Sequence, residues 1–300
     1  LPEPWPVAAR DSLISLLGAG RAAIPVWEAL DQADLISRLI PEWKVVRSAP
    51  QRNPVHRFTV DRHLVETAVN ASGLTREVSR PDLLLVGALL HDIGKGQAGD
   101  HTEVGVRIVA ELAPRLGFDP SDSAVLVDMV RYHLLLPDTA TRRDLADPAT
   151  AAAVAAAVKT QSVLELLDCL TRADAAATGP AAWSPWKASL VSELVARTQA
   201  ALDGRPELPR PTLTESQREL ATGEGVQVLI EPGEGVWWVT VAADDRLGLL
   251  GQVAGALAVN RLAVRSARTE TLGERAVTVW SVQPEFGEPP SLDLLREDIR

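Results

Sequence analysis

The chain has a single cysteine, Cys169, in 300 residues. No internal disulfide can form, so a reducing, cytoplasmic setting is expected. Positive charge is also in short supply: 30 Lys and Arg against 40 Asp and Glu leave a formal net charge of −10. That balance argues against nucleic acid as the main partner, because phosphate binding needs a basic surface. Long apolar runs are missing too. The richest stretches, Leu83–Leu90 and Ala151–Val158, are sized for core helices and fall short of the roughly 20 residues a spanning helix needs. No membrane partner is expected. Leu1 is not an initiator methionine, and the opening with Pro2 and Pro4 carries no signal-peptide pattern. The sequence reads as a piece of a longer protein.

What is present is globular: 46% hydrophobic and 23% charged residues, at a length that suits two domains. From about Asp11 to Leu202 apolar residues recur at three- and four-residue spacing, which predicts helices. The expected helices are Asp61–Ser72, Pro81–His91, Thr102–Leu116, Ser121–Leu136, Pro148–Val158, Ser162–Ala177 and Trp186–Leu202. Pro81, Pro120 and Pro148 sit where a first helical turn tolerates a missing N–H. Asp203–Pro211, with Gly204, Pro206, Pro209 and Pro211, has linker composition. Beyond it the period changes. Val236–Val241 and Ala276–Val282 read as strands, with a helix at Leu249–Val259, a further strand at Ala263–Leu272 and a last helix begun at Ser291–Asp298. Strand–helix–strand–strand–helix is a ferredoxin-like split unit without its last strand. The fold class is therefore α+β multidomain.

All five histidines, His56, His63, His91, His101 and His133, fall between residues 56 and 133. His91 and Asp92 stand side by side at the end of the apolar helix Leu83–Leu90 and are followed by Ile93-Gly94-Lys95-Gly96. Burying an imidazole and a carboxylate together is costly unless something compensates both. A divalent cation does so, and this donor pair suits Mn, Fe, Zn or Mg. Gly94 and Gly96 are read as letting the backbone turn sharply, leaving Lys95 over the site. Taken alone, the hexapeptide is equally an ordinary helix end with a Gly stop and a cation in the last turn.

The pattern as a whole resembles the HD phosphohydrolase superfamily, in which a His, a His-Asp doublet and a distant Asp surround a metal. The resemblance aligns the first His with His63, the doublet with His91-Asp92 and the closing carboxylate with Asp174 in Leu170-Thr171-Arg172-Ala173-Asp174. His101 and His133 match the extra ligands of members that hold two metals. His56 fits no ligand slot. Asp168 rivals Asp174 as the closing carboxylate, but six residues on one helix turn through roughly 600° and point the two to different faces. The chemistry implied is phosphoester hydrolysis with a metal-activated water, with one or two divalent ions, Mg or Mn. Asp92 would bridge or anchor the metal, and Lys95 would stand as a point charge on a phosphate oxygen, unless it is simply solvated.

The flanks narrow the resemblance. Asn53–His63, Gly99-Asp100-His101, Trp183-Ser184-Pro185-Trp186-Lys187 and the helical segment Ala29–Trp43 are similar to the bifunctional uridylyltransferase/uridylyl-removing enzymes of PII nitrogen signalling. Ala242–Leu250 resembles the first strand-to-helix turn of an ACT domain, where helix N–H groups meet a ligand carboxylate. Asp245, Arg246 and Gly248 are its candidate ligand residues, although Leu247 stands where that family usually has proline. An ordinary turn with Gly248 for close packing competes. The implied domains are a helical connecting segment (1–50), an HD phosphohydrolase domain (51–203), a linker (204–225) and an incomplete ACT domain (226–300). The nucleotidyltransferase domain of that family does not fall within these 300 residues. The implied activity is removal of a uridylyl, or adenylyl, group from the modified tyrosine of PII protein, with glutamine as allosteric ligand. A guanosine-tetraphosphate hydrolase and a non-catalytic amino-acid sensor are the rival readings.

Overall fold

Proline and short polar side chains mark where the helices start. The structure, a computed structural model, describes residues 1–51, 57–179, 182–205 and 212–300. Within them the chain divides into two units, Leu1–Leu208 and Pro209–Arg300.

The first unit is all helical: α1 (Val7–Gly18), α2 (Ala23–Gln32), α3 (Leu35–Leu39), α4 (Trp43–Val46), α5 (Val60–Ser72), α6 (Pro81–Leu90), α7 (His101–Arg115), α8 (Pro120–Tyr132), α9 (Leu135–Arg142), α10 (Pro148–Val158), α11 (Gln161–Thr178) and α12 (Pro185–Leu202). Pro81, Pro120, Pro148 and Pro185 occupy first-turn positions. There the absent N–H would have had no helical acceptor. Asp100, Asp119, Asp147, Thr160 and Ser184 cap α7, α8, α10, α11 and α12 through their side-chain oxygens. Leu83 to Leu90 of α6 are all buried. A helix apolar all round belongs in the middle of a bundle, and α6 packs against α1, α5, α8 and α11.

Two helical expectations need correction. The helix expected over Ser121–Leu136 ends at Tyr132, and a new one starts at Leu135. Pro137 has no N–H, and its ring would clash with the carbonyl of residue 133 in a continuous helix. His133 thus sits at a helix end rather than within one. The segment Ala29–Trp43 is also broken, by Asp34 in the left-handed region at φ 60 and by Pro41. No single helix among the described residues is long and apolar enough to cross a membrane.

The second unit contains α13 (Glu215–Leu220), β1 (Gln227–Pro232), β2 (Trp237–Asp244), α14 (Leu249–Val259), β3 (Leu262–Leu272), β4 (Arg275–Pro284) and α15 (Leu292–Ile299). The sheet runs β1-β2-β4-β3 with antiparallel neighbours throughout. Val239, Val241, Trp280 and Val282 alternate onto one face and form a core with Val253 and Leu257 of α14 and Leu295 and Ile299 of α15. The expected strand–helix–strand–strand–helix run is present, and β1 is an addition to it. In a ferredoxin-like unit the strand after the second helix pairs beside the first strand; here β1 takes that edge of β2. The stretch expected to be linker is also partly built into this unit. Thr214 and Gln217 form a capping box at α13. Leu213, Leu220 and Ala221 cover Ala242, Val277 and Val279 on the second face of the sheet. Residues 206–211 lie outside the described residues.

Candidate metal centre

Four elements converge on one buried point. His63 comes from the first turns of α5, His91 caps the C-terminus of α6, His133 caps the C-terminus of α8, and Asp174 comes from α11. His63, His91, Asp92 and His133 are all buried. The rings run in series edge to face, His63–His91 at 5.3 Å, His91–His133 at 5.5 Å and His133–His101 at 5.6 Å between centroids.

The approach of α7 to the doublet depends on Gly94. A Cβ there would lie 2.1 Å from the His101 carbonyl oxygen and 2.5 Å from the Gly105 nitrogen, so only glycine admits the contact. Gly94 lies within the turn expected just after the doublet, and the close approach of α7 is what requires glycine there. The left-handed turn falls at Gly96, φ +85.

The donor atoms form two trios, His63–His91–Asp174 and Asp92–His101–His133, with the atoms of each within 4.8 Å of one another. Asp92 faces both. Its Oδ2 lies 3.4 Å from His91 Nε2 and 3.8 Å from His63 Nε2, while its Oδ1 lies 3.6 Å from both His101 Nε2 and His133 Nε2. His63 Nε2 is 2.9 Å from Asp174 Oδ1. Lys95 Nζ sits 2.5 Å from Asp92 Oδ2 and donates to Gln51 Oε1 at 3.0 Å.

The far sides of two imidazoles are fixed by backbone. His91 Nδ1 donates to the Ala88 carbonyl at 2.9 Å and His133 Nδ1 to the Val130 carbonyl at 2.7 Å. A donating Nδ1 leaves the Nε2 lone pair aimed into the cluster, the arrangement a ligating histidine needs. His91 Nε2 and Asp92 Oδ1 are buried with no hydrogen-bond partner. Buried polar atoms left without partners are rare and costly, and a cation among them would satisfy both. The donor set, four imidazoles with two carboxylates, therefore fits a borderline or hard divalent ion.

Electrostatics agree. Burial pushes His91 down, but the Asp92 and Asp174 carboxylates outweigh it and its pKa is pushed up to about 10. Burial pushes Asp92 up, yet His91, Lys95 and His133 hold it well below the usual carboxylate range. Asp174 is likewise held low, against burial, by His63 and His91. Burial lowers His133, which favours the neutral ring a metal requires. Without an ion, the cluster balances its carboxylates by protonating an imidazole.

All six residues expected at the centre are thus brought together. Asp168, the rival carboxylate, faces elsewhere and lies 3.4 Å from Arg172 Nε. His56 and the rest of 52–56 lie outside the described residues. Gln51 at Lys95, and Asn70 donating to the Ala173 carbonyl, were not foreseen, because neither belongs to a local motif.

In the second unit, Gly248 opens α14 at φ +88, and nothing lies within 4 Å of where its Cβ would be. The left-handed backbone requires glycine there, and close packing does not. Asp245 Oδ2 accepts from Thr271 Oγ1 at 3.1 Å, and Arg246 donates to Gln252 Oε1 at 2.5 Å.

An HD-domain family profile matches residues 60–179. The whole chain is 46% identical to a bifunctional uridylyltransferase/uridylyl-removing enzyme of Streptomyces coelicolor, of which it covers 42%. It is 47% identical to the enzyme of that name in Mycobacterium tuberculosis, covering 37% of it. Over 91% of the chain it is 32% identical to the Gluconobacter oxydans enzyme of the same name, covering 36%. The chain thus spans about two fifths of the length of these relatives.

Proposed function

For a chain that carries an HD domain and aligns throughout with part of the bifunctional uridylyltransferase/uridylyl-removing enzymes, we propose metal-dependent hydrolysis of a nucleotidyl group from a modified protein tyrosine. The protein is PII, and the group is uridylyl or, alternatively, adenylyl. The observation that carries this reading is the sharing of Asp92 between two His/Asp trios. His63, His91 and Asp174 would hold one divalent ion, Mg or Mn, and His101 and His133 would support a second, with Asp92 between them. Such an ion supplies a water of lowered pKa and neutralises phosphate oxygens.

The chain's own residues prepare the rest. Ala88 and Val130 carbonyls fix the His91 and His133 rings. Lys95, held by Asp92 and Gln51, stands where a substrate phosphate would approach and serves as its point charge. In the second unit, read as an ACT portion, the Asp245-Arg246-Leu247-Gly248 turn would take the carboxylate of glutamine at the start of α14.

The test is release of UMP from uridylylated PII protein by the intact chain with Mn or Mg, in parallel with an Asp92→Ala variant and with guanosine tetraphosphate as competing substrate. UMP release that the variant loses supports the proposal. Hydrolysis of guanosine tetraphosphate alone would replace it with the rival enzyme reading, and release undiminished in the variant would remove Asp92 from the chemistry.

A further inference from the structure

Asn70 lies on the helix of His63 and donates from Nδ2 to the carbonyl oxygen of Ala173, at 3.1 Å, on the helix of Asp174. Seven residues separate His63 from Asn70 on α5, which is two turns to within roughly 20°. Both therefore face α11 along one stripe. Ala173 is the residue immediately before Asp174. Its carbonyl lies inside α11, where the helix itself supplies an N–H four residues on. The Asn70 bond is thus not needed to satisfy that oxygen.

What the bond does fix is register. Around Asp174 the helix is Ala173, Ala175, Ala176 and Ala177, whose methyl groups interlock less specifically than the buried Leu164, Leu166, Leu167 and Leu170 earlier in α11, so the amide adds a directional contact where apolar packing is least specific. Asparagine is also a poor helix-interior residue, yet it occupies the last turns of α5 between the buried Val69 and Ala71. A side-chain amide reaching across to a backbone atom sets both the height and the rotation of its neighbour. One residue further along that neighbour, Asp174 Oδ1 meets His63 Nε2 at 2.9 Å.

We propose that Asn70 is a positioning residue, whose amide locks the register of α11 on α5 and so preforms the His63–His91–Asp174 trio for its cation. The proposal rests on the reading of that trio as a cation site. The experiment uses the whole chain and Mn²⁺ as probe, with affinity read by competition against a fluorescent chelator and metal-free melting read separately.

Asn70→Ala removes the donor. Asn70→Asp keeps the shape but turns a carboxylate oxygen towards the carbonyl, and it also serves if the alanine variant does not fold. Both are expected to weaken Mn²⁺ binding about tenfold, the usual effect of losing a group that orients a ligand. Ser72→Ala, which loses a bond internal to α5, is expected to leave affinity unchanged. Wild-type affinity in both Asn70 variants, whatever their melting temperatures, would overturn the proposal. Mn²⁺ binding by the parent that is indifferent to His63→Ala would instead overturn the cation reading beneath it.

Discussion

His63 Nε2 lies 2.9 Å from Asp174 Oδ1, joining α5 to α11 at the buried end of the cluster. The contact is a hydrogen bond or ion pair while no cation is bound, and in the proposed cation site the same two atoms would be ligand donors. Replacing Asp174 with asparagine keeps the shape and removes the charge. We expect Asp174→Asn to lower nucleotide release by at least about 100-fold, beyond the loss typical of an orienting group, with the metal-free fold retained in circular dichroism. Release at the parent rate would take Asp174 out of the site.

Chelation should be visible in stability. An ion that binds only the folded chain stabilises it by mass action, about 2.7 kcal/mol at 100 times its dissociation constant. Added Mn should therefore raise the melting temperature in a concentration-dependent way, and EDTA should reverse the rise. A melting curve indifferent to both would count against the centre.

The pH dependence has a definite sign. The folded-state value of His91 is raised from 6.5 to about 10. Protonated His91 therefore stabilises the metal-free chain fully below pH 6.5, and that contribution is lost as pH rises through about 10. A ligating imidazole must be neutral, so ion binding in this window releases a proton. Mn affinity should climb by up to about tenfold per pH unit for each proton released. Calorimetry in buffers of different ionisation heat at pH 8 should detect that proton; heats independent of the buffer would contradict the assignment.

Gly94 tests the architecture instead of the chemistry. A methyl 2.1 Å from the His101 carbonyl cannot be accommodated unless α7 moves. Gly94→Ala should destabilise by about 1–3 kcal/mol or more, the range for overpacking, as read by urea unfolding. It should also weaken Mn binding, because His101 rides on α7. A variant as stable as the parent would mean that the close approach is not maintained in solution.

Much of the secondary structure from α5 on was legible in the sequence to within a few residues. Apolar spacing and proline position are local signals, and they placed α5, α6, α7, α10, α11, α12 and α14. Local signals failed where a distant contact decides. β1 became a strand by pairing with β2, and α13 was built onto the sheet by Leu213 and Leu220; the early end of α8 was a local signal, Pro137, that was passed over. The doublet His91-Asp92 stood out because imidazole and carboxylate at the end of an apolar helix require compensation, while His63, His101, His133 and Asp174 were added by the resemblance to the HD superfamily. Local pattern could not reveal Asn70 on Ala173 or Gln51 on Lys95, since the partner of each lies far away in sequence.

By itself, then, the sequence determined most of the helices and, through its likeness to a family pattern, which side chains were candidate ligands, since residue type and period are properties of one segment. The tertiary structure alone decided that Asp92 turns one oxygen to each trio, that Asp168 faces Arg172 while Asp174 faces His63, and that Gly94 lets α7 come near. Those outcomes depend on distances between helices, and packing sets such distances only once the segments have met.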